Sequence, residues 1–493
     1  MSQILGNVAI VLNAHFPYVR RAGRWPHGEE MLHRVIAESY VPLLNMLRDL
    51  RTDGRPLPLT VSASPVLLEQ LADPVIAKHF AVWLADWQRR AAADLERFEA
   101  AGEAHGAYLA RFYLDWIEAI ARAFHARYGR NLVAALRRLL SDQTEVVLAP
   151  ATYAYLPWLT PDEARVQIDV GAMTVLRHLG RRPTGLWLPG GVAPRALRSI
   201  VAEQGIEYAI GAPMARPAVT IAPDGLPVLH PDQALGEYVV AGSLGYPGDG
   251  LYREFHRVHD DSGIAYWRVT GADVPLGDKH WYDPYLAFSR VIEHAAHFVR
   301  AIRERLRALR QTMTQPTVVI AFDAELFGHW WFEGVRWLQH VLEQLTHAED
   351  LRLIKVRDAR ATIAAMPAAQ PVSHPIFDAA LIEPLRSRLR DAGARMRSVA
   401  RQWSSAVGLE EDLLSQALRE LLLAQSGDWP TLIATGAAID YAQRRFDEHL
   451  ARFDRLVQYV ERDEPTPDAV MYLHEIAELD NVFPFANYRL FVR

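Results

Sequence analysis

Cysteine is absent from the 493-residue chain, which excludes disulfides, thiolate zinc sites and cysteine nucleophiles. No run of about 18 apolar residues occurs, so no membrane span is expected. The opening MSQILGNVAIVLNAHF lacks a basic segment, a long apolar stretch and a small-residue cleavage site. It reads as a first core strand, and a cytoplasmic protein is expected. An excess of positive charge is missing too: 53 Lys+Arg stand against 59 Asp+Glu, a net charge of −6, with no long basic run. That argues against a nucleic-acid partner. Tryptophan, by contrast, is plentiful at thirteen residues. Exposed indoles are surfaces on which sugar rings stack, although most tryptophans fill cores.

The first three-quarters alternates short apolar, β-rich runs with helical patterns. Strands are expected at 8–16, 57–63, 145–150, 185–189, 207–213, 266–271, 317–325 and 351–356. Several are continuous apolar runs, the pattern of strands buried on both faces of a parallel sheet. Such alternation over about 370 residues predicts a barrel-like α/β domain over 1–372, with a helical insertion at about 80–140. The segment at about 215–262, rich in Gly, Pro and Asp, reads as a loop excursion. After the proline-bearing connection AAQPVSHPIFD the strands stop, and 373–493 is expected to be a helical domain.

Polar residues gather just after the expected strands, on the face where barrel active sites are built. The densest run is AFDAELFGHWWFEG (321–334), where a strand ends in Asp323 and Glu325, His329, Trp330 and Trp331 follow. A carboxyl at a barrel rim beside indoles suits proton donation to a glycosidic oxygen. Carboxylates that merely cap a turn fit the same residues equally well. A metal reading of His15, Glu325 and His329 is weak without an HExxH pattern, and no metal or cofactor is expected. GYPGDGLYREF (245–255), with Tyr246 and Asp249, could form a substrate lid or a surface turn. In QSGDWP, Asp428 could be an ordinary helix cap.

AFDAELFGHWWFEG resembles the signature of glycoside hydrolase family 57, in its 1,4-α-glucan branching enzyme subgroup. LNAHFPYV, EVVLAPATYAYLP and GLWLPGG look like three further blocks, and the similarity runs nearly the full length. The resemblance implies an incomplete (β/α)7 TIM-like barrel with inserted helices, then an all-helical C-terminal domain. It implies retaining chemistry on an α-glucan such as amylose, glycogen or maltodextrin. One glutamate would be nucleophile and Asp323 the acid/base. Where the family pattern has that glutamate, in a sequence close to L-W-L-P-E-C, this chain has Gly190. Asn13 and Tyr153 stand where histidines are usual, Gly191 where a cysteine is common and Val240 where a tryptophan is usual. Glu203 and Glu207 offer no obvious substitute. The matching motifs give His15, Trp187, Arg268, His329, Trp330, Trp331, Asp428 and Trp429 as candidate sugar contacts. The expectation is an impaired, glucan-binding protein, with a catalytic paralogue left open as a partner. The rival is an active branching enzyme or amylase-type hydrolase using a non-standard nucleophile or water.

Overall fold

The structure, a computed structural model, describes residues 4–23, 27–52, 54, 57–140, 143–363, 365–366, 375–462 and 466–492. Its ten strands are β1 (Gly6–Ala14), β2 (Leu59–Ala63), β3 (Thr144–Leu148), β4 (Gly185–Trp187), β5 (Tyr208–Ile210), β6 (Ala218–Ile221), β7 (Pro227–His230), β8 (Thr317–Asp323), β9 (Leu351–Ile354) and β10 (Ala365–Met366). They form one sheet in the order β10-β6-β7-β5-β4-β3-β2-β1-β8, with β9 also on β1. All pairings are parallel except β6 with β7. β8 runs along β1 from Asn7 to Asn13. β9 takes residues 6–9 of β1 and β2 takes residues 11–14, so they share its other edge.

Burial on both faces explains the composition of these strands. Val8 to Leu12 of β1 and Val318 to Ile320 of β8 are buried, and a β-branched run of that kind suits the centre of a parallel sheet. Helices cover the sheet between strands. The helix Pro161–Leu179 starts in a capping box, in which Thr160 and Glu163 satisfy each other's backbone N–H groups, and ends at left-handed Gly180. The expected helical insertion is the pair Pro74–Ala100 and Ala104–Arg122, continued by Leu132–Leu139. The architecture is an incomplete TIM-like barrel followed by a helical region.

Two expectations fail. The stretch 266–271 is not a strand but makes isolated bridges, Arg253 with Arg268 and Trp267 with Trp281. Aromatic and β-branched residues there serve side-chain packing instead of a ladder. The presumed loop 215–262 contains the antiparallel hairpin β6–β7 and the helix Gln233–Val240. Its strands are only four residues each, too short to show periodicity, although Asp224-Gly225 sits at the hairpin turn. The expected boundary at 372/373 lies outside the described residues.

Among the described residues, five α-helices, Glu383–Gln402, Leu409–Ala424, Asp428–Ala434, Ile439–Glu461 and Pro467–Leu479, build the C-terminal part. Their shared apolar core holds Leu414, Leu418, Phe446 and Phe453. Within it Glu420 accepts a hydrogen bond from His449 (2.8 Å), Arg452 pairs with Asp480 (2.7 Å) and Arg445 reaches His449 (3.1 Å). Glu420, His449 and Asp480 are close enough to hold a metal ion, but two guanidiniums already supply the positive charge there. Burial, then Arg445 and Arg452, push the His449 pKa down, while burial and Asp480 raise that of Glu420. The two parts are joined by polar contacts: Thr152 donates to the Leu422 carbonyl (2.6 Å) and Gln167 to Gln425 (3.0 Å).

Candidate functional site

A cavity of about 480 Å3 opens where the carboxyl ends of β1, β4 and β8 meet the helical part. Asn13, His15, Tyr153, Gly190, Asp323, Glu325, His329 and Trp330 line it from the barrel side. Asp428, Thr431 and Tyr441 close it from the other, with Ile376 and Phe377 of the connecting segment.

The rim at β8 is densely bonded. Register places Asn13 opposite Asp323, and the Asn13 amide donates to Asp323 Oδ1 (2.8 Å). The same Nδ2 contacts the Tyr153 hydroxyl (2.9 Å), which also accepts from the Trp187 indole (2.7 Å). His15 stacks flat on Tyr153, ring centroids 3.8 Å apart, with Nδ1 at Ser64 (2.8 Å) and Nε2 at Asp428 (2.9 Å). Asp323 is open to the cavity yet surrounded by protein elsewhere. Burial raises its pKa, and the Asn13 bond and His15 oppose that rise. Glu325 is buried; Oε1 accepts from the Tyr40 hydroxyl (2.5 Å) and the His15 backbone N–H (3.0 Å). Burial and then Asp323 push its pKa up to about 8.

Beneath this rim, Glu38 bonds His329 (2.7 Å) and pairs with Arg253 (3.3 Å), whose guanidinium lies over Phe332. Burial alone would raise the Glu38 pKa; Arg253 and His329 outweigh it and hold it at about 2. Gly328 lets the β8 turn pass against the Glu38 carbonyl at a positive φ of 97°, where any Cβ would collide.

The rim at β4 differs. Gly190 and Gly191 both lie in the left-handed region, with φ of 69° and 71°. A Cβ on Gly190 would meet Phe377 at 2.9 Å and Tyr155 at 3.0 Å, rings that stack on each other 4.0 Å apart. Two glycines therefore turn the chain sharply under an aromatic pair.

The sequence-derived candidates divide accordingly. His15, Gly190, Asp323, His329, Trp330 and Asp428 line the cavity, His329 with its Nδ1 committed to Glu38. Trp187 reaches it only through Tyr153. Trp331 (2 % exposed) and Trp429 (0 %) are core residues and have no face for a sugar; the Trp429 indole donates to the Leu423 carbonyl. Trp330, at 49 % exposed, keeps an open ring against Phe255. Arg268 instead donates to the Gly250 carbonyl and does not line the cavity. Tyr246 and Asp249 form no lid over it. Tyr246 stacks on His294, and Asp249 caps Leu251 beside Arg290, both against the helix Pro284–Leu309. Glu203 and Glu207 are exposed and away from the cavity. Sequence reasoning missed Tyr40, Ser64, Tyr155 and Phe377. Tyr155 lies in the quoted block EVVLAPATYAYLP beside Tyr153 without itself being singled out, and Tyr40 and Ser64 lie outside every quoted motif.

A barrel with paired carboxyls at one strand end, completed by a helical part, defines a class when set beside known proteins. Residues 9–216 match the description "Glycosyl hydrolase family 57" and residues 388–491 match "1,4-alpha-glucan branching enzyme, C-terminal". The chain is 33% identical to a 1,4-alpha-glucan branching enzyme of Thermococcus kodakarensis, over 97% of this chain and 77% of that one. It is 31% identical to a probable 1,4-alpha-glucan branching enzyme of Mycobacterium tuberculosis, over 91% of each. The solved branching enzyme of Pyrococcus horikoshii superposes with a TM-score of 0.91 at 31% identity, covering 99% of this chain and 97% of that one. The Thermococcus enzyme, solved with glucose and additives, superposes at 0.90 and 31%, covering 99% and 97%. The chain belongs to glycosyl hydrolase family 57, and within it is branching-enzyme-like. Among the described residues, no helix is long and apolar enough to cross a membrane.

Proposed function

We propose that the cavity binds an α-1,4-glucan and that the chain does not form the glycosyl-enzyme intermediate of a retaining enzyme. The carrying observation is where the cavity's carboxyls come from. Asp323 and Glu325 stand at β8 and Asp428 on the helical part, while the β4 rim presents Gly190. Retaining cleavage needs a second carboxyl about 5–5.5 Å from the acid, on the opposite side of the sugar. Asp323 alone can deliver a proton but cannot trap the anomeric carbon. Binding groups remain: the His15–Asp428 pair, the open Trp330 ring and the Tyr153 wall. The Thermococcus relative's structure with glucose supports a sugar as the occupant.

A rival reading is hydrolysis by water, favoured by the solvent-open Asp323 with Asn13 still donating to it. One experiment separates the two. The protein is incubated with amylose while proton NMR follows α-1,6 linkages, a reducing-sugar assay follows cleavage and calorimetry follows maltoheptaose binding. Binding without either product is expected. New branches would overturn the proposal, and reducing ends alone would establish the rival.

A further inference from the structure

The cavity has an unbalanced charge. Asp323, Glu325 and Asp428 line it, yet no lysine or arginine does among the described residues. His15 is tied to Asp428 through Nε2, and His329 to Glu38 through Nδ1. Three ionised carboxylates around one cavity would repel strongly, and the most enclosed of them is Glu325. The groups facing Glu325 are Asp323 on β8, Tyr40 on the short π-helical turn Ile36–Tyr40, and the backbone of His15 after β1. Asp428 stands behind the His15 ring, and Tyr153 behind Asn13. None supplies a fixed positive charge.

The Tyr40 hydroxyl and the His15 backbone N–H both bond Oε1 of Glu325, and the residue's own backbone N–H also faces its carboxyl. No other side chain among the described residues bonds Oε2, and Glu325 lines the cavity. A proton on this group therefore belongs on Oε2. Resting on the glucan-binding reading, we propose that Glu325 is a neutral carboxylic acid whose Oε2–H donates a hydrogen bond to a hydroxyl oxygen of the bound glucan. An ionised Glu325 can only accept, and it adds a third negative charge beside Asp323. The rise of its pKa to about 8 has the sign this role requires. The retaining mechanism assigns Glu325 no task, so its part is recognition, coupled to one proton.

The test is calorimetric titration of maltoheptaose into wild type, Glu325→Gln and Glu325→Ala between about pH 6.5 and pH 9.5, in buffers of differing ionisation enthalpy. For wild type the dissociation constant is expected to hold near pH 6.5 and to rise towards about tenfold per pH unit above pH 8. Uptake of one proton per sugar bound should accompany that rise. Glu325→Gln, a neutral donor of the same shape, should bind within about threefold of wild type at pH 6.5 and lose the pH dependence. Glu325→Ala should bind about tenfold more weakly. A wild-type affinity that is flat in pH with no proton uptake overturns the inference, and so does Glu325→Gln binding as poorly as Glu325→Ala. Either result leaves glucan binding intact. Wild type that binds no maltoheptaose at any pH sinks the glucan-binding reading, and this inference with it.

Discussion

The two rims of one cavity are built differently. At β8 the polar residues are linked in sequence: Asp323 has Asn13, Asn13 has Tyr153, Tyr153 has Trp187, and His15 spans Ser64 and Asp428. Asn13 and Tyr153, which stand where the resemblance implies histidines, bond each other, so the polar residues of this rim stay linked. At β4 the rim is a turn of two left-handed glycines beneath the Tyr155–Phe377 stack. On the proposed function, binding chemistry and bond-making chemistry are separable within a single pocket.

The largest expected break lies under the β8 rim. Glu38→Ala strands the buried Arg253, and stability should fall by about 3–5 kcal/mol in urea unfolding at neutral pH. The Glu38 pKa is lowered to about 2, so its contribution is complete above its ordinary value of 4.5 and is lost as the pH falls from there towards 2. The deficit of the variant should shrink over that window; a deficit constant in pH would contradict the ion pair. Glu325 has the opposite sign, its pKa being raised. Wild type loses stability relative to Glu325→Gln as the pH climbs from 4.5 to about 8, which thermal melts at both ends can check.

Next comes the β4 rim. Gly190→Glu should cost about 2–4 kcal/mol, combining a left-handed non-glycine residue with overpacking against Phe377 and Tyr155. It should also produce no branches or reducing ends from amylose. Adding Phe377→Ala should recover part of the lost melting temperature. If Gly190→Glu alone melts like wild type and turns over amylose, the picture of a rebuilt, closed rim fails.

Smaller effects sharpen the contrast. Tyr153→Phe leaves the Trp187 indole without its acceptor and removes a partner of Asn13, for an expected loss of about 1–2 kcal/mol. Trp330→Ala should weaken maltoheptaose binding by about 1 kcal/mol, roughly fivefold, without moving the melting temperature. Trp331→Ala should do the reverse, destabilising the fold by about 3–5 kcal/mol as a core deletion. Equal effects of the two adjacent indoles on binding would undo their assignment to opposite sides.

That pair shows what could be read in advance. The apolar runs of β1 and β8 declared buried parallel strands, because such strands have no polar face to disguise them. Asp323 at the end of one was visible for the same reason. Nothing in the letters WW says which ring faces water, since that depends on the turn Ala324–Leu326 and on Gly328 against Glu38. The hairpin β6–β7 was hidden by its length, and YWRVTG looked like a strand because aromatic packing and β propensity draw on the same residues. Phe377 escaped notice because its role at Gly190 exists only once residues nearly 190 positions apart have met.

The pairing of β1 with β8 also sets a timetable. Asn13 must wait for Asp323, 310 residues later in the chain. At a synthesis rate of roughly 5–20 residues per second, that is about 15–60 s during which a buried apolar strand of the sheet has an unpaired edge on the ribosome. The nascent chain should therefore depend on chaperones in its first minute, and a circular permutant beginning just before β8 should shorten that exposure.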